Sequence, residues 1–150
     1  QATWQVAPWL RYELAGFLND SALSRPNREF AGAEDRDLPN IARSGARAAV
    51  KVRTVVSSSK ILTLEGSLRY VGSSNLGVGA PFEIDQGDYL EGDLGARLGF
   101  GRFGLSLNAT NVGDVRGNRF SFGNPFTVAE GRQITPLRPR TIRLGFDAEF

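Results

Sequence analysis

The sequence predicts an all-β fold, an antiparallel transmembrane β-barrel sheet, and three observations predict it. Apolar and polar residues alternate with period two through most of the chain, as strands with one apolar and one polar face require. The alternating stretches are joined by connections that are short and long in turn. Every short turn therefore falls at one end of the sheet and every long loop at the other. Finally, there is no apolar run long enough for a membrane-crossing helix, while strands of about ten residues suit a tilted crossing of the hydrocarbon layer.

The alternation is clearest at the C-terminus. Ile142, Leu144, Phe146, Ala148 and Phe150 share one phase, and Thr141, Arg143, Gly145, Asp147 and Glu149 the other. In a barrel wall the first set faces lipid and the second a polar lumen. The same two faces would also suit the last strand of a soluble sheet, used the other way round.

Composition narrows the function classes. The 150 residues are 41% hydrophobic and 23% charged, which fits one folded domain. There is no Cys and no His. That removes disulfides, thiolate chemistry, most transition-metal sites and the usual nucleophile–base pairs. Glu91 and Asp93 share a strand face but have no catalytic partner, so we expect no enzyme, cofactor or resident metal. A net charge of +2 is too balanced to point to nucleic acid. Gln1-Ala2-Thr3-Trp4 is already strand-like and carries no leader pattern. The expectation is that processing removed a leader or that this is a piece of a longer protein.

Taken in order, the first strand is expected over Thr3–Leu14, with Trp4, Val6, Leu10, Tyr12 and Leu14 on one face. Pro8 cannot donate to a ladder and marks an edge, a bulge or a fault. The stretch 15–40 is polar and turn-rich, too long for an ordinary hairpin loop. The second strand, Ile41–Val55, sets Ala42, Ala46, Ala48, Val50 and Val52 against a basic stripe of Arg43, Arg47, Lys51 and Arg53. A serine turn, Ser57–Ser59, leads to the third strand, Lys60–Val71, with Leu62, Leu64, Leu68 and Tyr70 on its apolar face. Two registers keep apolar opposite apolar, one placing Glu65 across from Arg53 and the other across from Lys51.

After a Gly- and Ser-rich loop, the fourth strand covers Asp88–Phe100 and the fifth Phe103–Asn111. Gly101-Arg102 between them fits a two-residue type II′ turn, pairing Phe100 with Phe103, Leu98 with Leu105, Ala96 with Leu107 and Arg97 with Ser106. A long loop then approaches the sixth strand, Thr141–Phe150, through Pro136-Leu137-Arg138-Pro139-Arg140, whose prolines keep the chain extended. Aromatic residues are expected in two girdles. Trp4, Phe100, Phe103 and Phe150 would lie near the turn end, and Tyr12, Tyr70 and Tyr89 near the loop end.

Three segments carry a resemblance: Asn108-Ala-Thr-Asn-Val-Gly-Asp114, Gly123-Asn-Pro-Phe126, and Gly131 through the Pro-Arg approach to Phe150. Together they resemble the end of a TonB-dependent outer-membrane receptor, with Val112 and Gly113 in place of a bulkier pair. The resemblance implies the last six strands of a larger barrel of about 22 strands around a plug. The plug, the TonB box ahead of it and the earlier strands lie outside these residues. It implies energy-coupled uptake of a scarce nutrient such as a metal chelate (a siderophore), cobamide or saccharide. It also implies a bacterial outer-membrane location, with long loops extracellular and the C-terminus periplasmic. The implied partners are the rest of the receptor, possibly on a separate chain, the TonB complex through the missing part, membrane lipid and the barrel-assembly machinery. Ile142, Leu144, Phe146, Ala148 and Phe150 resemble the signal that machinery reads. Both edge strands, Thr3–Leu14 and Thr141–Phe150, are expected to pair with that missing part.

Candidate ligand contacts are Arg25, Arg28 and Arg36 in the first long loop and Phe120, Phe122, Phe126 and Arg132 in the last. The plainer account of these residues is ordinary loop chemistry. The basic stripe would attract an anionic ligand or, more simply, pair with carboxylates of the plug, Glu65 and Glu13. Two other classes stay open. A complete eight-stranded outer-membrane barrel with a structural or adhesion role needs two further strands in the long loops. A soluble ligand-binding barrel needs larger residues than Ala42, Ala46 and Ala48 in its interior.

Overall fold

The structure is a computed structural model, and it describes residues 1–22, 24–25, 37–77, 84–122 and 133–149. The elements in chain order are β1 (Ala2–Ala7), β2 (Leu10–Leu18), β3 (Ser44–Ser57), β4 (Lys60–Val71), β5 (Ser74–Asn75), β6 (Asp85–Gln86), β7 (Tyr89–Phe100), β8 (Phe103–Thr110), β9 (Asn118–Phe122), β10 (Gln133–Pro136) and β11 (Thr141–Ala148). Seven of them form one antiparallel sheet in the order β1-β2-β3-β4-β7-β8-β11. The other four form two short ribbons, β5 with β6 and β9 with β10. No helix among the described residues is long and apolar enough to cross a membrane.

The expected single strand over Thr3–Leu14 is instead a hairpin, so the main sheet has seven strands rather than six. Pro8 and Trp9 form its turn, where the fixed φ of proline favours the first central position. A two-residue turn normally shifts the apolar phase by one position, as it does between β7 and β8. Here the register slips between Gln5 and Ala7, and Trp4 lies opposite Tyr12. That bulge cancels the shift and leaves even-numbered residues apolar in both strands. The sequence alternation therefore runs unbroken through a reversal of the chain.

Other boundaries move less. β2 continues to Leu18, and β3 begins at Ser44 rather than Ile41. β3 and β4 join through Ser58 and Ser59, with a second irregularity between Val55 and Ser57, and Glu65 sits opposite Lys51. The turn at Gly101-Arg102 is as expected, with φ of 60° at Gly101. Phe100 meets Phe103, Leu98 meets Leu105, Ala96 meets Leu107 and Arg97 meets Ser106. β11 pairs with β8 from Thr141 opposite Thr110 to Ala148 opposite Phe103. Phe150 lies outside the described residues.

The added hairpin strengthens the end-to-end asymmetry. Three two-residue turns, at Pro8-Trp9, Ser58-Ser59 and Gly101-Arg102, share one end of the sheet. The connections 19–43, 72–88 and 111–140 share the other. The girdles change with it. Trp4 and Tyr12 fall in the row of Val50, Gly66 and Leu94, part-way along the sheet and at neither end. Trp9 occupies the turn end, where the Phe103 ring stacks on Phe146 at 5.8 Å and lies 6.0 Å from Phe100.

Among the described residues the sheet encloses no interior of its own. Buried hydrophobic side chains among the described residues are Ile84, Tyr89 and Leu137, all at the loop end. The apolar face lies open, with Trp4 68% and Leu144 81% exposed. Leu14, Leu64, Leu68, Leu94, Leu105, Leu107, Ile142 and Phe146 are also exposed. A contiguous apolar surface of this kind is unfavourable in water.

Candidate functional site

The polar face is built by strand pairing, which stacks charges in rows. From the turn end toward the loops, Arg53 faces Thr63 and Thr63 faces Arg97. Next come Arg11, Lys51, Glu65 and Gly95, and then Glu13, Ala49, Ser67 and Asp93. Last is the row of Ala15, Arg47, Arg69 and Glu91. Residues of the two middle rows line a depression of about 340 Å³ with Arg47, Asn108 and Thr110.

Three ion pairs lie on this face among the described residues. Lys51 Nζ lies 2.6 Å from Glu65 Oε1, which realises one of the two expected registers. Arg11 meets Glu13 at 2.7 Å along the same strand, so Glu13 neutralises Arg11 and not the basic stripe. Arg97 on β7 reaches Asp147 on β11 at 2.5 Å, spanning β8. The span passes over Gly104, where a Cβ would lie 2.5 Å from the guanidinium and 2.6 Å from the carboxylate.

The basic stripe separates into two groups. Arg43 precedes β3, pairs with Asp37, and donates its backbone N–H to Ser73 O at 3.2 Å. It belongs to the loop layer. Arg47, Lys51 and Arg53 remain in phase on β3. Among the described residues, no carboxylate lies within ion-pair distance of Arg47, Arg53, Arg69 or Arg143. Of the two carboxylates on the β7 face, Asp93 accepts the Asn111 N–H on its Oδ1 at 3.0 Å.

At the loop end the three connections are tied to one another. Gln86 donates from Nε2 to Asn40 Oδ1 at 2.7 Å, and Asn40 donates its N–H to Asn75 O at 2.7 Å. Gly87 donates its N–H to Asn118 O at 2.8 Å, joining the β7 approach to β9. The third loop is closed by Asn111, 1% exposed with φ of 49°. Its Nδ2 donates to Val115 O at 3.0 Å and Arg138 O at 2.8 Å, while its Oδ1 accepts the Val115 N–H at 2.9 Å. Asp114 Oδ1 accepts the Arg140 N–H at 3.0 Å. The Asn-Val-Gly-Asp segment thus works as a clasp on the Pro-Arg approach to β11. Sequence reading picked out the segment by resemblance but missed this role.

Among the candidate loop contacts, Arg25 is exposed, with a φ of 54°. Phe120 and Phe122 fall on β9, opposite Thr135 and Gln133. Arg28, Arg36, Phe126 and Arg132 lie outside the described residues. Of the C-terminal set, Ile142, Leu144, Phe146 and Ala148 lie in one phase of β11. A residue the sequence reading passed over is Phe17, an aromatic in the polar phase of β2. Its ring covers Gly45, where a Cβ would run into the ring edge. Its departure from the alternation was the available signal.

No family model matches the chain, and no curated protein matches it by sequence. By fold, it is similar to the ferric yersiniabactin uptake receptor FyuA from Yersinia pestis, with a TM-score of 0.80 at 18% sequence identity. The likeness covers 99% of this chain and 22% of that receptor, so this chain spans about a fifth of its structural neighbour's length.

Proposed function

We propose that the chain is the C-terminal barrel segment of a TonB-dependent outer-membrane receptor that takes up a scarce nutrient such as a metal chelate, cobamide or saccharide. The observation that carries this reading is the two-faced sheet. An open apolar face backs onto a charged one, and all short turns lie at one end with all long loops at the other. Lipid covers such an apolar face, and a water-filled lumen with a plug suits the opposite one. Likeness to part of an uptake receptor over nearly the whole chain supports the same reading.

In this account β1 and β11 pair with receptor strands outside this chain, and the loop layer faces the exterior. The plug and TonB contact belong to that remaining part, and the exposed phase of β11 serves barrel assembly. Arg25, Arg28, Arg36, Phe120, Phe122, Phe126 and Arg132 are the proposed external contacts. A complete small barrel is less well supported, because β1 and β11 lie at opposite ends of the sheet order and are not paired with each other. A soluble barrel would have to hide the face that is open here.

The chain has no Cys, so a single introduced one reports its own location. Arg116→Cys lies in a long loop and Ser58→Cys in a short turn, both exposed. A membrane-impermeant maleimide should label the first in intact cells and the second only after the outer membrane is opened. Equal labelling of both, or recovery of the chain in the soluble fraction, contradicts the proposal.

A further inference from the structure

The polar face carries an apolar shelf at its loop end. Strand pairing aligns Phe17, Gly45, Val71 and Tyr89 in one row. Phe17 lies over Gly45 and remains 49% exposed. One same-face step toward the turns is the row of Ala15, Arg47, Arg69 and Glu91. There Arg47 stands directly opposite Arg69, an arrangement that is unfavourable unless an anion joins it. Glu91 faces Arg69 from the next strand without ion-pair contact, which leaves two guanidiniums to one carboxylate. Ala15 beside Arg47 keeps the floor between ring and cations low.

From this juxtaposition we propose that Phe17, Arg47 and Arg69 form a binding site for an anion carried on a planar ring, of the aryl carboxylate or phenolate class. A guanidinium fork matches the oxygens of such a group, and its ring stacks on an exposed aromatic face. Two residues along a strand span about 7 Å, a distance that one aryl ring with an acidic substituent bridges. The inference rests on the polar face being a lumen reached from the loop end.

The probe is benzoate, followed by saturation-transfer NMR on the protein extracted in mild detergent with whatever polypeptide co-assembles. Acetate supplies the charge without the ring and benzamide the ring without the charge. Benzoate should bind saturably and more tightly than either. Replacing both arginines by glutamine (R47Q with R69Q) should weaken it about tenfold or more, the scale of lost charge-assisted hydrogen bonds. Phe17→Leu should weaken benzoate and leave acetate unchanged. Arg143→Gln, at a cation on the same face of the edge strand with no ion pair among the described residues, should change neither. Equal affinity for benzoate and acetate, or no response to R47Q with R69Q in protein that still shows heat-modified gel mobility, overturns the site. Loss of that mobility in the parent protein counts instead against the barrel reading.

Discussion

Arg97 on β7 and Asp147 on β11 join at 2.5 Å across the intervening strand β8, over the bare backbone of Gly104. The contact links the last strand to a strand two places away and ties the turn end of the sheet together. Both partners are half exposed, so screening limits its worth. Asp147→Asn should lower thermal stability at low salt, with the difference from the parent shrinking as salt rises. Gly104→Val should cost more than Asp147→Asn, because its branched side chain displaces both partners. Melting curves at two ionic strengths check both.

Neighbouring residues on β8 separate the two faces. Leu107 lies in the apolar phase and Asn108 in the polar one. Leu107→Arg should cost about 2–4 kcal/mol if that face meets the bilayer interior, whereas Asn108→Arg should be tolerated. Yield of heat-modifiable protein in the membrane fraction distinguishes them. Equal tolerance of both substitutions would count against a lipid-facing surface.

Asn111 joins an αL backbone to three side-chain hydrogen bonds in a buried place. Asn111→Ala removes the bonds and strains the backbone, and should cost about 3 kcal/mol in denaturant titration. Asn111→Gly relieves the strain without restoring the bonds and should fall between the parent and alanine. Glycine behaving like the parent would mean that backbone conformation alone matters there.

Lys51 and Glu65 provide a check on register. Both side chains are more than half exposed, so a double-mutant cycle should return a coupling of about 0.5 kcal/mol. The same cycle on Arg53 and Glu65, the alternative register, should return none.

Much of the fold was legible because the apolar face imposes a strict phase on every strand. β4 had its observed ends, and the Gly101-Arg102 turn dictated the pairing of β7 with β8. The first hairpin was hidden for a physical reason. Its bulge restores the phase that its turn shifts, so Trp4 and Tyr12 look like residues of one strand when they face each other on two. The Lys51–Glu65 register needed the bulge beyond Val55, which period-two reading cannot see. The charged residues were legible as a face but not as a site. Which cations are paired depends on contacts such as Arg43 with Asp37 and Arg11 with Glu13, and spacing alone does not encode those. Asn111 and Phe17 acquire their roles from strands and loops distant in the chain.

The most direct test of the central claim is the mobility of the protein, extracted from membranes in mild detergent, on a gel before and after boiling, with the intact mass of every band. The unboiled chain should migrate with a much larger polypeptide, paired to it through the edge strands β1 and β11, and separate from it on boiling. A compact, heat-modifiable species of this chain's mass alone, or a chain that stays soluble without detergent, would contradict it.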